Sequence, residues 1–302
     1  MAPLRGHGSR RARCCLVAVT ALVRLAAADL PAPGAQVRLV AIESRSQPDN
    51  TIVIEAFQRT LSDDGIDAVS VARVPVTEAV ALPDLAPDLL LCLGSQAAEA
   101  ARRLDLGVDA VYAMVADPQD RGLHGPGVSL EPPWEYRLRI LREVLPGTRY
   151  RFVYSRSTPE VDEIREVGAR IGLDLSGVQL ESPAHLLQAA GRLLTGADAF
   201  LILPDVGLIT PTTVQGLIAE GLRRGVPVIG LSPSYTRAGA LVSVDADPAA
   251  AGAAAARAWH AGSTEHLHPE TVRVTVNVTV ARRLGISLPE SIGGVVAIRM
   301  GD

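Results

Sequence analysis

One pattern restricts this chain more than any other. Short, nearly continuous apolar runs alternate with longer amphipathic segments, and the alternation runs once and then starts again. Residues 37–42 predict a strand, 52–64 a helix closed by Gly65, and 68–74 a second strand. The apolar run 88–93 ends in Gly94, the Ala-rich segment 96–104 reads as a helix, and 110–115 as the next strand. The restart has helix 134–144, stopped by Leu145-Pro146-Gly147, then strands 150–154, 174–179, 200–203 and 226–230 around helices 159–171, 184–194 and 212–223. After these come 240–244, the very Ala-rich helix 248–261 and an extended piece 272–278. Continuous apolar strands between helices imply parallel sheets covered on both faces, so the fold class is α/β with two doubly wound, Rossmann-like lobes.

No long Pro, Ser or Gly linker separates the two runs, so the chain is expected to cross between lobes by short strands. Residues 127–130 and 239–242 are candidates for two crossovers, and a third falls near 273–278. The expected organisation is 37–129 plus 239–271 in one lobe and 130–238 plus 272–302 in the other. Three crossings make a hinge with a cleft, which is where small ligands bind.

Composition removes several chemistries. All 29 basic residues are Arg and none is Lys, which excludes a Walker A loop, pyridoxal or Schiff-base catalysis and a Ser-Lys hydrolase. Aromatic residues are only 3%, so a stacking platform for nucleic acid fits poorly.

The first 28 residues read as an export signal: a basic start at Arg5, Arg10, Arg11 and Arg13, an apolar stretch 14–23, and Ala26-Ala27-Ala28 for cleavage. Ten apolar residues are too few for a permanent membrane helix. Cys14 and Cys15 sit at the start of the apolar region, not after it, so a free periplasmic protein without a lipid anchor is expected. Cleavage leaves 24 basic residues against 33 acidic, a balance of −9, which disfavours nucleic acid and anionic membranes as partners. Cys92 is then the last cysteine, and no intramolecular disulfide can form.

A series of short motifs appears in order: Leu93-Gly94-Ser95-Gln96-Ala97-Ala98, Ala116-Asp117-Pro118, Gly127-Val128-Ser129, Leu145-Pro146-Gly147, Pro204-Asp205, Pro227-Val228, Ala238-Gly239-Ala240-Leu241 and Val276-Asn277. In this order, over residues 37–289, the chain resembles a family of ABC-transporter substrate-binding proteins that includes bacterial tryptophan-binding and related aromatic-amino-acid-binding components. The resemblance implies a periplasmic-binding-protein fold of the first structural type, with a three-crossover hinge, a ligand between the lobes and no catalysis.

Candidate ligand residues lie where apolar strands end. Gly94-Ser95-Gln96 joins a strand to a helix start, where Ser95 can cap the helix and free N–H groups can meet a carboxylate; a plain N-cap is the ordinary alternative. Asp117 and Asp205 each follow a strand and can pair with an ammonium group or simply shape a turn. Tyr235, near the second crossover, can stack on a ligand or pack between lobes. Ser44, with Arg45 and Ser46, follows the first strand, and Ser129 lies in the first crossover. His266 and His268 have no third metal ligand nearby and read as a solvated loop; the charged segment 160–166 reads as a solvent-facing helix.

The leading expectation is therefore a monomeric solute-binding protein that takes an amino-acid-like, carboxylate-bearing ligand and delivers it to an ABC permease, with no cofactor or metal. An alternative keeps the fold but docks the closed form on a membrane sensor. A two-lobe enzyme such as an amino-acid racemase would need a reactive cysteine in a loop, whereas Cys92 lies inside an apolar strand.

Overall fold

The computed structural model describes residues 34–116, 122–123, 125–156, 158, 160–205 and 207–301; the expected export segment and Asp117 lie outside them. The chain opens with β1 (Gln36–Glu43), α1 (Pro48–Asp63), β2 (Asp67–Pro75), a 3-10 helix (Val76–Leu85), β3 (Leu89–Leu93), α2 (Ser95–Leu104), β4 (Asp109–Val115) and β5 (Gly127–Ser129). It then builds a second lobe from α3 (Trp134–Val144), β6 (Arg149–Tyr154), α4 (Val161–Arg170), β7 (Asp174–Gln179) and α5 (Pro183–Leu193). The same lobe continues through β8 (Ala199–Leu201), α6 (Pro211–Arg224), β9 (Val228–Gly230), α7 (Pro233–Arg237) and β10 (Val242–Ala246). Helix α8 (Pro248–His260) and β11 (His266–Leu267) return to the first lobe. The chain finishes on the second with β12 (Val272–Asn277), α9 (Val278–Leu284), the hairpin β13 (Ser291–Ile292) and β14 (Val295–Val296), and β15 (Ile298–Met300).

The first sheet has the order β11-β5-β4-β3-β1-β2 and every pairing in it is parallel. The second has the order β15-β12-β10-β9-β8-β6-β7, parallel except between β10 and β12. Strand β1 shows why the apolar runs are continuous. Leu39 and Ala41 face a core shared with α1 and α8, while Val40 and Ile42 face the opposite core under α2. The second sheet is covered in the same way, by α3 and α4 on one face and α5 and α6 on the other. Local signals place the helix ends: α6 starts in a reciprocal Thr210–Thr213 capping box with Pro211 in the first turn and stops at left-handed Gly225.

Three chain segments run side by side between the lobes. The Ala246 N–H donates to the Leu130 carbonyl at 3.2 Å, and the Asp247 N–H donates to the Thr271 carbonyl at 3.1 Å. The return to the first lobe thus falls at 246–247, not at 239–242 as expected. Residues 242–246 are an interior strand of the second sheet, held by β9 on one side and β12 on the other. A Gly before an apolar run looks the same in sequence whether the run enters a hinge or a sheet.

Candidate functional site

The direction of the strands positions the cleft. Strand β5 leaves the first sheet at its carboxyl end to enter the second lobe, and β10 leaves the second sheet at its carboxyl end to return. Both sheets therefore turn their carboxyl ends toward the hinge, and the loops after the strands form the facing walls.

On the first wall, the cap of α2 is built differently from the expectation. Gly94 occupies the N-cap with φ +86, and no side chain of its own segment caps the helix. The hydroxyl comes from Ser44, at the end of β1, whose Oγ accepts the Ala97 N–H at 2.9 Å. Ser95 instead bridges sideways to Ala116: its Oγ accepts the Ala116 N–H at 3.1 Å and donates to the Ala116 carbonyl at 3.3 Å. Among the described residues the N–H groups of Ser95 and Gln96 take no partner, and the Gln96 side chain is exposed. Two open amides at the positive end of a helix dipole suit an anion. Beside them Met114 takes a left-handed φ of 57 where β4 slips register against β5. Ser129 is buried in the crossover, and its Oγ donates to the Glu131 carbonyl at 2.9 Å.

On the second wall, Asp205 is 4% exposed and its carboxylate is saturated by its own lobe. Oδ2 accepts the Ser155 N–H at 2.7 Å and the Thr158 hydroxyl, and Oδ1 accepts the N–H groups of Gly207 at 2.9 Å and Leu208 at 3.0 Å. Burial pushes this carboxyl up, but the hydrogen bonds outweigh it and hold it below the usual carboxylate range. As placed, Asp205 joins the loops after β6 and β8. Tyr235 is half-buried after β9, its Cβ stacked so close over Gly230 that a Cβ there would come within 2.3 Å.

Two features at the hinge were not singled out in the sequence. At the head of α3, Arg137 is 2% exposed, and its guanidinium lies over the Trp134 ring at 4.0 Å from the centroid. Its Nε and Nη1 are buried without a hydrogen-bond partner among the described residues. Its signal in the sequence is a charge on the apolar stripe Trp134, Leu138, Leu141, Val144. Next to it, Arg273 on β12 binds both Asp49 of α1, at 3.0 and 2.9 Å, and Asp245 of β10, at 3.3 and 2.5 Å. This triad ties the first lobe to the second. Burial pushes the Asp245 carboxyl up to about 6 in spite of Arg273.

Of the histidine pair, His266 lies on β11 and is half-buried, not in a solvated loop, whereas His268 follows the strand and is exposed, as expected. Tyr112 Oη and His266 Nδ1 are 3.2 Å apart, and His268 Nδ1 lies 3.3 Å from Ser129 Oγ. Among the described residues no group of three His, Cys, Asp or Glu side chains could hold a metal ion. On α4 the expected charged face exists, with Asp162, Glu163 and Glu166 exposed opposite buried Val161, Ile164 and Val167.

The sequence profile described as ABC transporter substrate binding protein matches residues 106–297. No curated protein matches the chain. Among solved structures, a conserved domain protein from Vibrio cholerae is 19% identical over 87% of this chain and 99% of that one, with a TM-score of 0.61. An ABC domain from Streptococcus pneumonia, in complex with L-Trp, is 17% identical over 88% and 100% of the two chains, with a TM-score of 0.60. A ligand-free, open substrate binding protein with adhesive properties from Clostridium difficile is 15% identical over 87% and 99%, with a TM-score of 0.69. At these identities the likeness establishes a common fold.

Proposed function

We propose that this chain, which belongs to the ABC transporter substrate binding protein family, captures a small carboxylate-bearing organic solute between its lobes and hands it to an inner-membrane ABC permease. Solute binding in the service of an ABC transporter is the family's role, and it involves no catalysis. The observation that carries the narrower reading is the head of α2. There Gly94 lets the backbone turn, Ser44 caps one amide from a neighbouring strand, and the amides of Ser95 and Gln96 stay open on the cleft wall. Closure brings the Asp205-braced wall and Tyr235 over the solute, and contacts made only in the closed form supply the driving force. The basic and apolar start of the chain supports export to the periplasm. The protein acts as a monomer.

The test is to purify the protein from its host, release bound solute by denaturation and identify it by mass spectrometry. L-Trp is the first probe for rebinding, because the structurally similar domain from Streptococcus pneumonia holds it. A carboxylate-bearing solute whose rebinding lowers the radius of gyration in X-ray scattering is the expected result. A bound solute without an acidic group would overturn the ligand class, and the absence of any solute-driven compaction would overturn capture by closure. N-terminal sequencing of the exported form should begin near Asp29, or near Gln36 if Pro33-Gly34-Ala35 is cut.

A further inference from the structure

We propose that the head of α3, with the guanidinium of Arg137, is a second anion subsite in the cleft, so that the captured solute places an acidic group on the second lobe. The inference rests on the reading of the chain as a solute-capturing protein and adds a residue that selects the charge of the solute. Three observations converge on one place. Helix α3 is antiparallel to the strand β6 that follows it, so its first turn lies at the carboxyl end of the second sheet, facing the cleft. Among the described residues the N–H groups of Trp134, Glu135 and Tyr136 have no hydrogen-bond acceptor, and the Pro133 N-cap offers no side chain to cap them. The side chain of Arg137 leans toward the N-terminus of its helix, as helical side chains do, and its guanidinium comes to rest over Trp134 at that open end.

A buried guanidinium without hydrogen bonds is costly, and proteins pair such groups. Burial works against its charge and prevails over Glu131, Glu160 and Asp245, which are near enough to favour the charge but do not hydrogen-bond it, Asp245 being committed to Arg273. These acids oppose the effect of burial while leaving Nε and Nη1 without hydrogen bonds. A carboxylate meets both the helix dipole and the guanidinium there, in surroundings where charge-assisted hydrogen bonds are strong. Asp205, by contrast, has no donor-free oxygen to offer a ligand cation.

The position of Trp134 supplies a readout. Sodium acetate is titrated into the whole protein against sodium chloride at constant ionic strength, and tryptophan fluorescence and the unfolding midpoint are followed. A saturable fluorescence change and a higher midpoint in acetate, both absent in Arg137→Gln, are expected. No acetate-specific response in the wild-type protein overturns the proposal, and so does an equal response in Arg137→Gln. Should Arg137→Gln fail to fold, the wild-type comparison of acetate with chloride decides by itself. For the solute released from the host-purified protein, calorimetry should show binding about 10- to 150-fold weaker in Arg137→Gln, the loss expected for one charged hydrogen bond. Equal binding by the two proteins, with compaction retained, overturns this subsite alone and leaves capture by closure standing.

Discussion

Replacing Gly94 by Ala tests how the first wall of the cleft is built. At φ +86 an L-residue costs about 1–2 kcal/mol. The new Cβ would lie 2.8 Å from Ser44 Oγ and 3.1 Å from Ser44 Cβ, so Ser44 must turn away. Turning it breaks the hydrogen bond from Ala97, and a lost cap of this kind costs about 1 kcal/mol. The stiffer unfolded chain returns about 0.4–1 kcal/mol, which leaves a net loss near 2 kcal/mol. In a chain of this size that lowers the midpoint by about 4–8 °C. Ser44→Ala alone should cost about 1 kcal/mol. Because the cap can be lost only once, the double variant should fall short of the sum by about 1 kcal/mol. Thermal and denaturant unfolding of the four proteins measures this cycle. Strict additivity, or a Gly94→Ala protein within about 0.5 kcal/mol of wild type, would refute the trans cap as the reason for glycine at this position.

Asp205→Asn should destabilise by about 2–4 kcal/mol, since an amide cannot accept from four donors. The folded carboxyl lies below its ordinary value of 3.8, so its contribution is present above that value and disappears as the pH falls through the folded value; unfolding of the two proteins across acid pH should show the difference shrinking. Asp245 has the opposite sign: the folded state holds its proton up to about 6, so its contribution to stability falls as the pH rises from 3.8 to about 6. Asp245→Asn should remove that slope from a melting profile taken over the same range. The Cys92 thiol, pushed up to about 12 by burial, should resist thiol reagents in the native protein and react at once on unfolding, as mass spectrometry of labelled protein can check.

Periodicity made the two α/β lobes legible, because strands buried on both faces must be apolar throughout and their helices must be apolar on one side. Strand β1 and helix α2 fall within a residue of where the pattern puts them at their amino ends. What the sequence concealed is what two distant segments make together. Ser95 has the chemistry of an N-cap and the right place for one, yet Ser44 caps the helix because β1 and β3 are neighbours in the sheet. His266 follows Gly262 and lies close to Pro269, which suggests a loop, but His266 and Leu267 suffice for an edge strand when β5 offers a free side, and only His268 stays in the exposed loop. Arg137 was visible as a charge on an apolar stripe, though only the structure shows that its buried Nε and Nη1 lack hydrogen bonds among the described residues.

The late return of α8 to the first lobe also orders events during synthesis. Gly252 seats α8 against α1 so tightly that a Cβ there would come within 2.3 Å of the Val53 carbonyl. Until that helix emerges, the core that holds Val53 and Phe57 against the first sheet lacks the wall made by Ala251, Ala254, Ala255 and Trp259, although the second lobe already has its strands from β6 to β10. Contacts between segments so far apart form slowly. A ribosome-bound or truncated chain that stops at the end of β10 thus displays a bare apolar helix face, the kind of surface that chaperones hold and proteases recognise. The first lobe is thus completed only after most of the second has been made, and damage to α8 would be read by the cell as an unfinished protein.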